Sequence, residues 1–375
     1  MQFRDLNEQY RVLKEKIDNG IQKVVSDCNF ISGQQVNALE EELAKYVGKK
    51  HCVTCANGTD ALTLAMMVWG VGAGDAVFVP DFTFFSTGEI VSFAGATPVF
   101  VDVDMYTFNM SVDSLEKKIQ DTIQDGKLNP KVIVPVDLFG LPADYYRIRE
   151  IAQKYKMFVL EDGAQGFGGQ IGTQKACSFG DISTTSFFPA KPLGCYGDGG
   201  AVFTDDDDVE ELIRSYCVHG KGTMKYDNIR IGMNSRLDTI QAAILLPKLE
   251  AFQKYELDNV NKAAELYTKN LEDVVKVPRI PTGYYSSWAQ YTIQLNNKHE
   301  RENLQRRLKE SGIPSMIYYT KPMHRQKAFK NLQNADSDYK NTIRLCETVL
   351  SLPIHPYLSK DDVMKVVDVI CTWAS

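Results

Sequence analysis

The chain has 375 residues, of which 44% are hydrophobic and 24% are charged, a balance that excludes wholesale disorder and fibrous repeats. Its net charge of -6 gives no basic surface for nucleic acid. The longest charge-free apolar stretch, 61–74, is shorter than the roughly 18 residues of a membrane span, and the charged N-terminal segment does not resemble a signal peptide. The eight scattered cysteines match no disulfide framework, so we expect a cytoplasmic protein with reduced thiols.

Two helices are predicted at the start of the chain. Apolar residues recur every three or four positions from Leu6 to Val24, which is typical of an amphipathic helix. The same spacing runs from Val36 to Tyr46, and Gly48 then provides a stop signal.

Short apolar runs and helical patterns alternate in the next part of the chain. The predicted strands are 52–56, 76–80, 98–102, 131–136, 157–161, 182–187 and 200–204. The helical patterns between the early strands are 61–69, 84–94, 112–123 and 143–155. This alternation predicts an α/β domain with a seven-stranded, mainly parallel sheet covered on both faces. No helical pattern separates the last two strands, so we expect one of them to be antiparallel.

The alternation of short apolar runs and helical patterns ends after residue 238. A long helical pattern from Leu237 to Leu271 contains Pro247, where we expect a bend. A Pro- and Gly-rich connection follows, and beyond it come one strand-like run and two helical patterns: 289–295, 302–311 and a stretch from Lys360. We therefore predict N-terminal helices and a large α/β domain over 1–250, and a smaller α+β domain over 251–375.

Lys191 lies between two prolines in the turn that joins the last two predicted strands. A solvated loop lysine is the ordinary interpretation. Prolines restrict the backbone, however, and strand ends at a sheet edge often bind ligands. A lysine in a desolvated pocket loses proton affinity and becomes a nucleophile for Schiff-base chemistry. Both interpretations stay open from this segment alone.

The end of the strand 157–161 carries a second candidate, Asp162. A carboxylate at this position can cap the next segment, or it can pair with a cationic ring nitrogen and so keep that ring an electron sink. Gln165, three residues on, could lie flat against the same ring.

A third candidate is the turn Ala-Asn-Gly-Thr-Asp at 56–60, between a predicted strand and a predicted helix. Small residues there leave backbone N–H groups and the positive end of the helix free to bind an anion. The turn lacks the P-loop pattern of nucleotide-binding proteins, and it fits a single phosphate.

Three other signals favour structural roles. Cys52 and Cys55 have the spacing of a zinc or redox pair, but no second pair and no paired histidines accompany them, so we predict buried structural thiols and no metal site. The five histidines are too dispersed for an obvious ligand set. The acidic run 205–208 precedes a helical pattern, where acids complement the helix N-terminus.

A phosphate turn, an aspartate for a pyridinium nitrogen and a Schiff-base lysine, in this order on one α/β domain, together fit pyridoxal phosphate. The chain resembles the DegT/DnrJ-type sugar aminotransferases over essentially its whole length. The segments that carry the resemblance are ANGTDAL (56–62), PDFTFFST (80–87), EDGAQGFG (161–168), SFFPAKPLGCYGDGGA (186–201) and GMNSRLDTIQAAIL (232–245). The resemblance implies the type I fold of pyridoxal-phosphate-dependent transferases, which is also that of aspartate aminotransferase.

The resemblance also implies roles around the cofactor ring. Lys191 would form the Schiff base and then move the proton between the cofactor carbon and the sugar carbon. Asp162 would pair with the pyridine nitrogen, Gln165 would lie near the 3-hydroxyl of the ring, and Phe84 would stack on the ring.

For the phosphate, the resemblance implies backbone N–H groups from Gly58 and Thr59 and a hydroxyl from Ser186. Asn234 would reach the phosphate from the neighbouring subunit, which implies a homodimer with shared active sites. The stretch Ser235–Asp238 also has the spacing of a helix N-cap with its capping box, which needs no ligand. The two interpretations are compatible, because a capped helix start is a rigid place to mount Asn234.

The motifs resemble most those of enzymes that act on UDP-linked 2-acetamido-3-oxo-glucuronic acid. The implied reaction moves an amino group from L-glutamate to the C3 keto group of the sugar, for the biosynthesis of a surface polysaccharide or glycan. Arg236 would then hold an anionic group of the substrate. Tyr318, Tyr319 and His324 belong to a segment, IYYTKPMH, that would approach the sugar, and close relatives often carry His–Tyr where this chain has Tyr318–Tyr319.

Three alternatives accompany this hypothesis. The first is a C3 or C4 aminotransferase for a dTDP- or GDP-linked keto-deoxysugar. The second is a sugar dehydratase of the same fold, in which histidine replaces the lysine, and Lys191 speaks against it. The third is a non-enzymatic regulator on the same fold, for which the sequence offers neither a helix-turn-helix segment nor a basic patch.

Overall fold

The computed structural model describes residues 1–224, 226–332 and 334–374. In these ranges the α-helices are α1 (Leu6–Asp27), α2 (Gln34–Val47), α3 (Gly58–Val68), α4 (Ser86–Phe93), α5 (Val112–Asp125), α6 (Tyr145–Tyr155), α7 (Asp207–Tyr216), α8 (Thr239–Ala251), α9 (Leu257–Leu271), α10 (Lys298–Glu310), α11 (Lys340–Thr348) and α12 (Lys360–Ala374). The strands are β1 (His51–Cys55), β2 (Asp75–Pro80), β3 (Thr97–Val101), β4 (Asn129–Ile133), β5 (Phe158–Asp162), β6 (Gln170–Ile171), β7 (Gln174–Lys175), β8 (Ile182–Ser186), β9 (Gly200–Thr204), β10 (Tyr284–Tyr285), β11 (Tyr291–Gln294) and β12 (Val349–Leu352).

A seven-stranded sheet in the order β1-β9-β8-β5-β4-β2-β3 forms the centre of the large unit. The strands from β8 to β3 pair in parallel, and β9 is antiparallel to both of its neighbours. This confirms the predicted sheet and its one reversed strand. The central strands are apolar on both faces because helices cover both: Val77, Phe78 and Val79 are all fully buried.

The predicted helix ends are confirmed at two places. The helix α2 ends at Gly48, whose positive φ of 82° lets its N–H bond to the carbonyl of Ala44 at 2.9 Å. At the start of α7, the Asp206 carboxylate accepts hydrogen bonds from the N–H groups of Asp208 and Val209. The acidic run 205–208 therefore begins a helix, as predicted.

The long helix predicted over 237–271 is interrupted, but not at the expected residue. The helix α8 continues through Pro247 to Ala251, a π-helical turn follows at Phe252–Glu256, and α9 then begins. The wide turn places Glu256 in the interior, where its carboxylate accepts hydrogen bonds from Gln9 and Tyr357. The interruption thus serves a buried polar contact, which a pattern of apolar residues does not reveal.

The C-terminal part has a hydrophobic core of its own. The antiparallel pair β11–β12 packs with α9, α10 and α12 around buried side chains between Val260 and Ile370. Sequence patterns predicted β11, α10 and α12 but missed α11 and β12, which follow one another without a turn signal. The exact division at residue 250 stays a prediction. Among the helices of the described ranges, none is long and apolar enough to cross a membrane.

Candidate active site

A cavity of about 700 Å³ opens at the carboxyl ends of the parallel strands. Loops after β1, β2, β5 and β8 form one wall, and a segment of the C-terminal part forms the other. Most of the predicted site residues line it: Gly58, Thr59, Phe84, Asp162, Gln165, Ser186, Lys191, Tyr318 and Tyr319. The topology explains this convergence, because parallel strands deliver their carboxyl ends to one edge of the sheet.

Lys191 lies on the loop that joins β8 to the reversed strand β9. Its N–H bonds to the carbonyl of Phe188 at 2.8 Å, which closes a tight turn. Burial lowers the pKa of the Lys191 amine, the charge of Asp162 raises it, and the charge of Arg4 lowers it further. The net pKa is below the ordinary value, so the amine releases its proton more readily than a solvated lysine does. An amine nucleophile needs such an environment.

Asp162 ends β5 and is only 4% exposed. One of its carboxylate oxygens accepts a hydrogen bond from the Thr87 hydroxyl at 2.9 Å, and the other accepts one from the Ala164 N–H at 3.2 Å. Burial raises the pKa of Asp162, while the Thr87 hydrogen bond and the charge of Lys191 oppose the rise. A cation placed against this carboxylate would be favourable, because little water competes for it. Sequence patterns gave no signal for Thr87, which contacts Asp162 only through the fold.

Gln165 lies beside Asp162 with both ends of its amide engaged. Its oxygen accepts a hydrogen bond from the Phe139 N–H at 2.8 Å, and its nitrogen donates to the Tyr319 hydroxyl at 3.2 Å. These two bonds fix the orientation of the side chain. Burial raises the pKa of Tyr319 well above its ordinary range, so its hydroxyl stays protonated and can donate a hydrogen bond.

The turn after β1 has the geometry of an anion site. The Asn57 side chain caps α3 by accepting the Asp60 N–H at 2.8 Å, so Gly58 and Thr59 occupy the first helical positions, whose N–H groups have no partner within the helix. Ser186 approaches from β8. A Cβ on Gly58 would lie 2.7 Å from the Ser186 Cβ, so only glycine lets the two segments come this close.

The mouth of the cavity combines aromatic and charged side chains. Phe84 is 55% exposed although it is apolar, and its ring lines the cavity. Tyr318 lines the opposite part. Lys321 also lines the cavity, and apart from Lys191 it is the only basic side chain to do so among the described residues. The sequence interpretation had not singled out Lys321, because a lysine in a loop has no distinguishing pattern.

His324, which was predicted to contact the substrate, does not line the cavity. Its two ring nitrogens bond instead to the carboxylates of Asp81, at 2.7 Å, and Asp336, at 3.0 Å. Its backbone N–H also bonds to Asp81, at 2.7 Å. The structure therefore corrects this prediction: His324 fastens the segment to the large unit, while its neighbour Met323 lines the cavity.

Asn234 and Arg236 also lie outside the cavity of their own chain. The Asn234 side chain is exposed, and its oxygen accepts a hydrogen bond from the Arg236 guanidinium at 2.8 Å. The predicted helix cap at Ser235 is wrong, because α8 begins at Thr239 and the Ser235 hydroxyl donates to the Asp60 carboxylate at 2.6 Å. That same hydroxyl accepts the Ala56 N–H at 3.0 Å, so it ties this segment to the phosphate turn.

Cys52 and Cys55 are buried in β1, and burial raises the pKa of both thiols. A raised pKa keeps the thiols protonated and unreactive. In the described ranges, no group of three or more His, Cys, Asp and Glu side chains is arranged to hold a metal ion.

Comparison with known proteins identifies relatives over the full length of the chain. The model of the DegT/DnrJ/EryC1/StrS aminotransferase family matches residues 11–371. The chain is 44% identical to a UDP-2-acetamido-2-deoxy-3-oxo-D-glucuronate aminotransferase of Pseudomonas aeruginosa, with 96% of each chain covered. It is 41% identical to a UDP-N-acetyl-3-dehydro-alpha-D-glucosamine 3-aminotransferase of Acidithiobacillus ferrooxidans, with 98% of this chain and 96% of the relative covered. A crystal structure of a family member from Brucella abortus, 48% identical, superposes over 100% of both chains with a TM-score of 0.97.

Proposed function

Since the chain belongs to the DegT/DnrJ/EryC1/StrS aminotransferase family, we propose that it moves an amino group from L-glutamate to the C3 keto group of a nucleotide-linked sugar, with UDP-2-acetamido-3-oxo-glucuronate as the favoured acceptor. The nucleotide-sugar aminotransferase activity and the use of pyridoxal phosphate follow from the family and its type I fold. The observation that carries the assignment to this chain is the pairing of Lys191 with the buried Asp162 in one cavity.

The residues of the cavity fit the cofactor. The first-turn N–H groups at Gly58 and Thr59, together with the Ser186 hydroxyl, would hold its phosphate. Asp162 would face the ring nitrogen and Phe84 would cover the ring. When bound, pyridoxal phosphate supplies an aldehyde that accepts the amino group and a ring that takes up the electrons of the deprotonated carbon.

Lys191 would provide the protein's own chemistry. Its lowered pKa means that the amine gives up its proton more readily than a solvated lysine, as a residue that attaches to the cofactor would need. The same nitrogen would remove the α-proton of glutamate. In the second half of the reaction it would return a proton to the sugar carbon. One group moving the proton both ways is general acid–base catalysis by a residue held at the reacting carbon.

A homodimer with shared sites is part of the proposal. The segment 229–236 carries exposed apolar side chains, among them Ile229 and Ile231, the latter 89% exposed. An apolar surface of this kind is typical of a covered interface. Asn234 and Arg236 lie on the same segment and outside the cavity of their own chain, which supports their placement in the site of a partner subunit.

The activity is tested by two half-reactions of the purified protein. With pyridoxal phosphate added, the protein should absorb visible light and should lose that absorbance when L-glutamate is supplied, with 2-oxoglutarate released in equal amount. A protein that stays colourless after incubation with the cofactor would refute the proposal.

The acceptor is tested by running the reaction in reverse with 2-oxoglutarate and 3-amino sugar nucleotides. The two UDP sugars of the relatives differ by a carboxylate at C6, so a glucuronate and a glucose form make a matched pair. If the Arg236 guanidinium holds the carboxylate, kcat/KM should favour the glucuronate form by roughly 10- to 100-fold. In Arg236→Leu that preference should disappear. If the wild-type enzyme turns over the glucuronate and glucose forms at equal rates, or prefers dTDP- or GDP-linked amino sugars, the favoured acceptor is wrong. The assignment of aminotransferase activity would stand in either case.

A further inference from the structure

The first residues of the chain contact the loop of the proposed Schiff-base lysine. The Arg4 guanidinium donates hydrogen bonds to the backbone carbonyl of Lys191 at 2.6 Å and to that of Pro192 at 3.3 Å. Next to it, the Phe3 ring packs against the ring of Tyr318, with centroids 6.4 Å apart. The N-terminal segment 1–5 therefore covers the back of the loop.

This loop has few partners of its own. Its turn is closed by the Lys191 N–H and by the Cys195 N–H, which bonds to the Phe187 carbonyl at 2.7 Å. A Cβ on Gly194 would lie 2.5 Å from the Pro189 carbonyl, so the loop is folded tightly on itself. Residues 192–195 of the loop are buried, and a buried carbonyl without a partner is costly.

Two cationic side chains supply those partners. Arg4 binds the carbonyls at Lys191 and Pro192, and Lys248 of α8 donates a hydrogen bond to the carbonyl of Gly194. Lys248 is only 1% exposed. Charged donors make stronger hydrogen bonds than neutral ones, so this pair fixes the loop firmly.

The two cations differ in their effect on the Lys191 amine. The groups that act on that amine are Asp162 of β5, which raises its pKa, and Arg4, which lowers it. Lys248 bonds farther along the loop, to the carbonyl of Gly194. Burial lowers the pKa of Arg4 to about 10, with Glu256 and Tyr318 opposing the shift, so Arg4 keeps its charge at neutral pH.

We propose that Arg4 is a positioning residue for Lys191: its guanidinium, bonded to the carbonyls of Lys191 and Pro192, fixes the loop that carries the amine. The positive charge that it brings to this loop also favours the neutral form of the amine. The consequence for turnover rests on the proposed function, whereas the effect on the amine itself does not. No segment of the resemblance includes Arg4, and the family model begins its match at residue 11.

The pH dependence of the Lys191 amine is measured directly in the full-length protein from which the cofactor has been removed. A small amine-reactive reagent is applied across a pH series, and the labelling of Lys191 is followed by mass spectrometry. In Arg4→Gln, which keeps donor N–H groups but loses the charge, the labelling midpoint should rise by roughly 1 pH unit, the size expected from removal of one nearby charge. Arg4→Lys keeps the charge, so its midpoint should stay below that of Arg4→Gln.

Arg11→Gln is the matched control. Arg11 is an exposed arginine of α1 that pairs only with Glu8 in the structure, so its loss should leave the midpoint unchanged. If folded Arg4→Gln and Arg4→Lys proteins, with melting temperatures like that of the wild type, label Lys191 at the wild-type midpoint, Arg4 only packs against the loop and the proposal falls. If Arg4→Gln is too unstable to assay, Arg4→Met, which also removes the charge, replaces it, and a wild-type midpoint in folded Arg4→Met protein refutes the proposal in the same way.

Turnover provides the second measurement. In the cofactor-loaded enzyme, the acidic limb of the kcat profile and the pH midpoint of the visible absorbance should both move upward in Arg4→Gln. The KM for the sugar nucleotide should change little, since Arg4 does not line the cavity. A rise in KM with both midpoints unchanged would overturn the positioning role. If no aminotransfer is found at all, the proposed function fails, and the labelling experiment still decides the effect of Arg4 on the amine.

Discussion

Asp162 and Lys191, on the sheet side of the cavity, have their partners within the same chain, whereas Asn234 and Arg236 on the segment 229–236 bond to each other and face outward. We call the first region, Asp162 and Lys191 with the phosphate turn 56–60, the floor, and we call the segment 229–236 the rim segment. Asp162 is buried, and the hydrogen bonds within the floor are made before any ligand arrives. The rim segment has exposed apolar side chains and does not line the cavity. In the proposed homodimer, the floor of one chain would hold the cofactor, and Asn234 and Arg236 of the partner chain would complete the site.

Removal of the Lys191 amine from the floor should have the largest effect on turnover. Lys191→Ala should lower kcat by about 10⁴-fold or more, since covalent attachment and both proton transfers are lost together. The fold should survive, because the lysine side chain lines a cavity and is not part of the hydrophobic core. Steady-state rates and melting temperatures check this, with Lys16→Ala on the exposed side of α1 as the control. Turnover that is retained in Lys191→Ala would show that the floor does not carry the reaction.

Asp162→Asn should come next, with kcat lowered by roughly 10²- to 10³-fold and the cofactor still bound. An amide cannot hold the ring nitrogen protonated, so the ring accepts electrons poorly. Thr87→Val sharpens this test. It removes one hydrogen bond to the Asp162 carboxylate, but it leaves the charge of Asp162 in place and keeps the shape of the side chain at position 87. A smaller loss, about tenfold or less, is expected there. Equal rates for Asp162→Asn and the wild type would mean that another carboxylate faces the ring.

Mixed subunits test the rim segment. Lys191→Ala and Asn234→Ala homodimers each have two damaged sites, whereas their heterodimer has one site with both lesions and one with neither. Co-expression at equal levels should therefore restore about a quarter of wild-type activity, since half of the dimers are mixed and each has one intact site. Verified heterodimers with no gain over the two homodimers would place Asn234 in its own chain's site and remove the contrast between the two regions.

The smallest effect is expected from a substitution of His324, and it concerns stability. His324 joins the segment 318–326 to the large unit. Burial lowers the pKa of His324, but its hydrogen bond to Asp81 and the charges of Asp81 and Asp336 raise it, and the net pKa is above the ordinary value. A raised pKa in the folded state stabilises the protein fully below the unfolded pKa, near 6.5, and this stabilisation is lost as pH rises through the folded value. His324→Gln should therefore lower the free energy of unfolding by about 1–3 kcal/mol near pH 6 and by less at higher pH.

Denaturant unfolding at several pH values measures that difference. The exposed His299 of α10 offers a matched control, since His299→Gln should shift the free energy of unfolding little at any pH. A His324→Gln deficit that stays constant with pH would show that the imidazole is neutral in the folded protein. In that case the segment is held by packing and by the backbone bond to Asp81 alone.

The floor was more predictable from the sequence than the contacts that support it. Lys191, Asp162 and the phosphate turn each stand at the end of a strand in a distinctive stretch of sequence, and the parallel sheet brings strand ends together. Arg4, Thr87 and the true partners of His324 could not be predicted in this way. Each acts through hydrogen bonds that the fold brings about, and such bonds leave no periodicity or spacing. The cap wrongly assigned to Ser235 failed for the same reason, because its hydroxyl bonds across the fold to Asp60.

The reversed strand β9 has a consequence for how the site forms during folding. Between parallel strands the chain must cross the sheet before it can pair again, which delays pairing until distant segments meet. The strands β8 and β9 are neighbours both in sequence and in the sheet, with Ser186 opposite Gly200 and the Phe187 N–H bonded to the Gly199 carbonyl at 2.8 Å. They can therefore close as a hairpin through local contacts alone. We expect the loop of Lys191 to take shape early, as a β-hairpin, and Arg4 and Lys248 to lock it only when the N-terminal segment and α8 have docked.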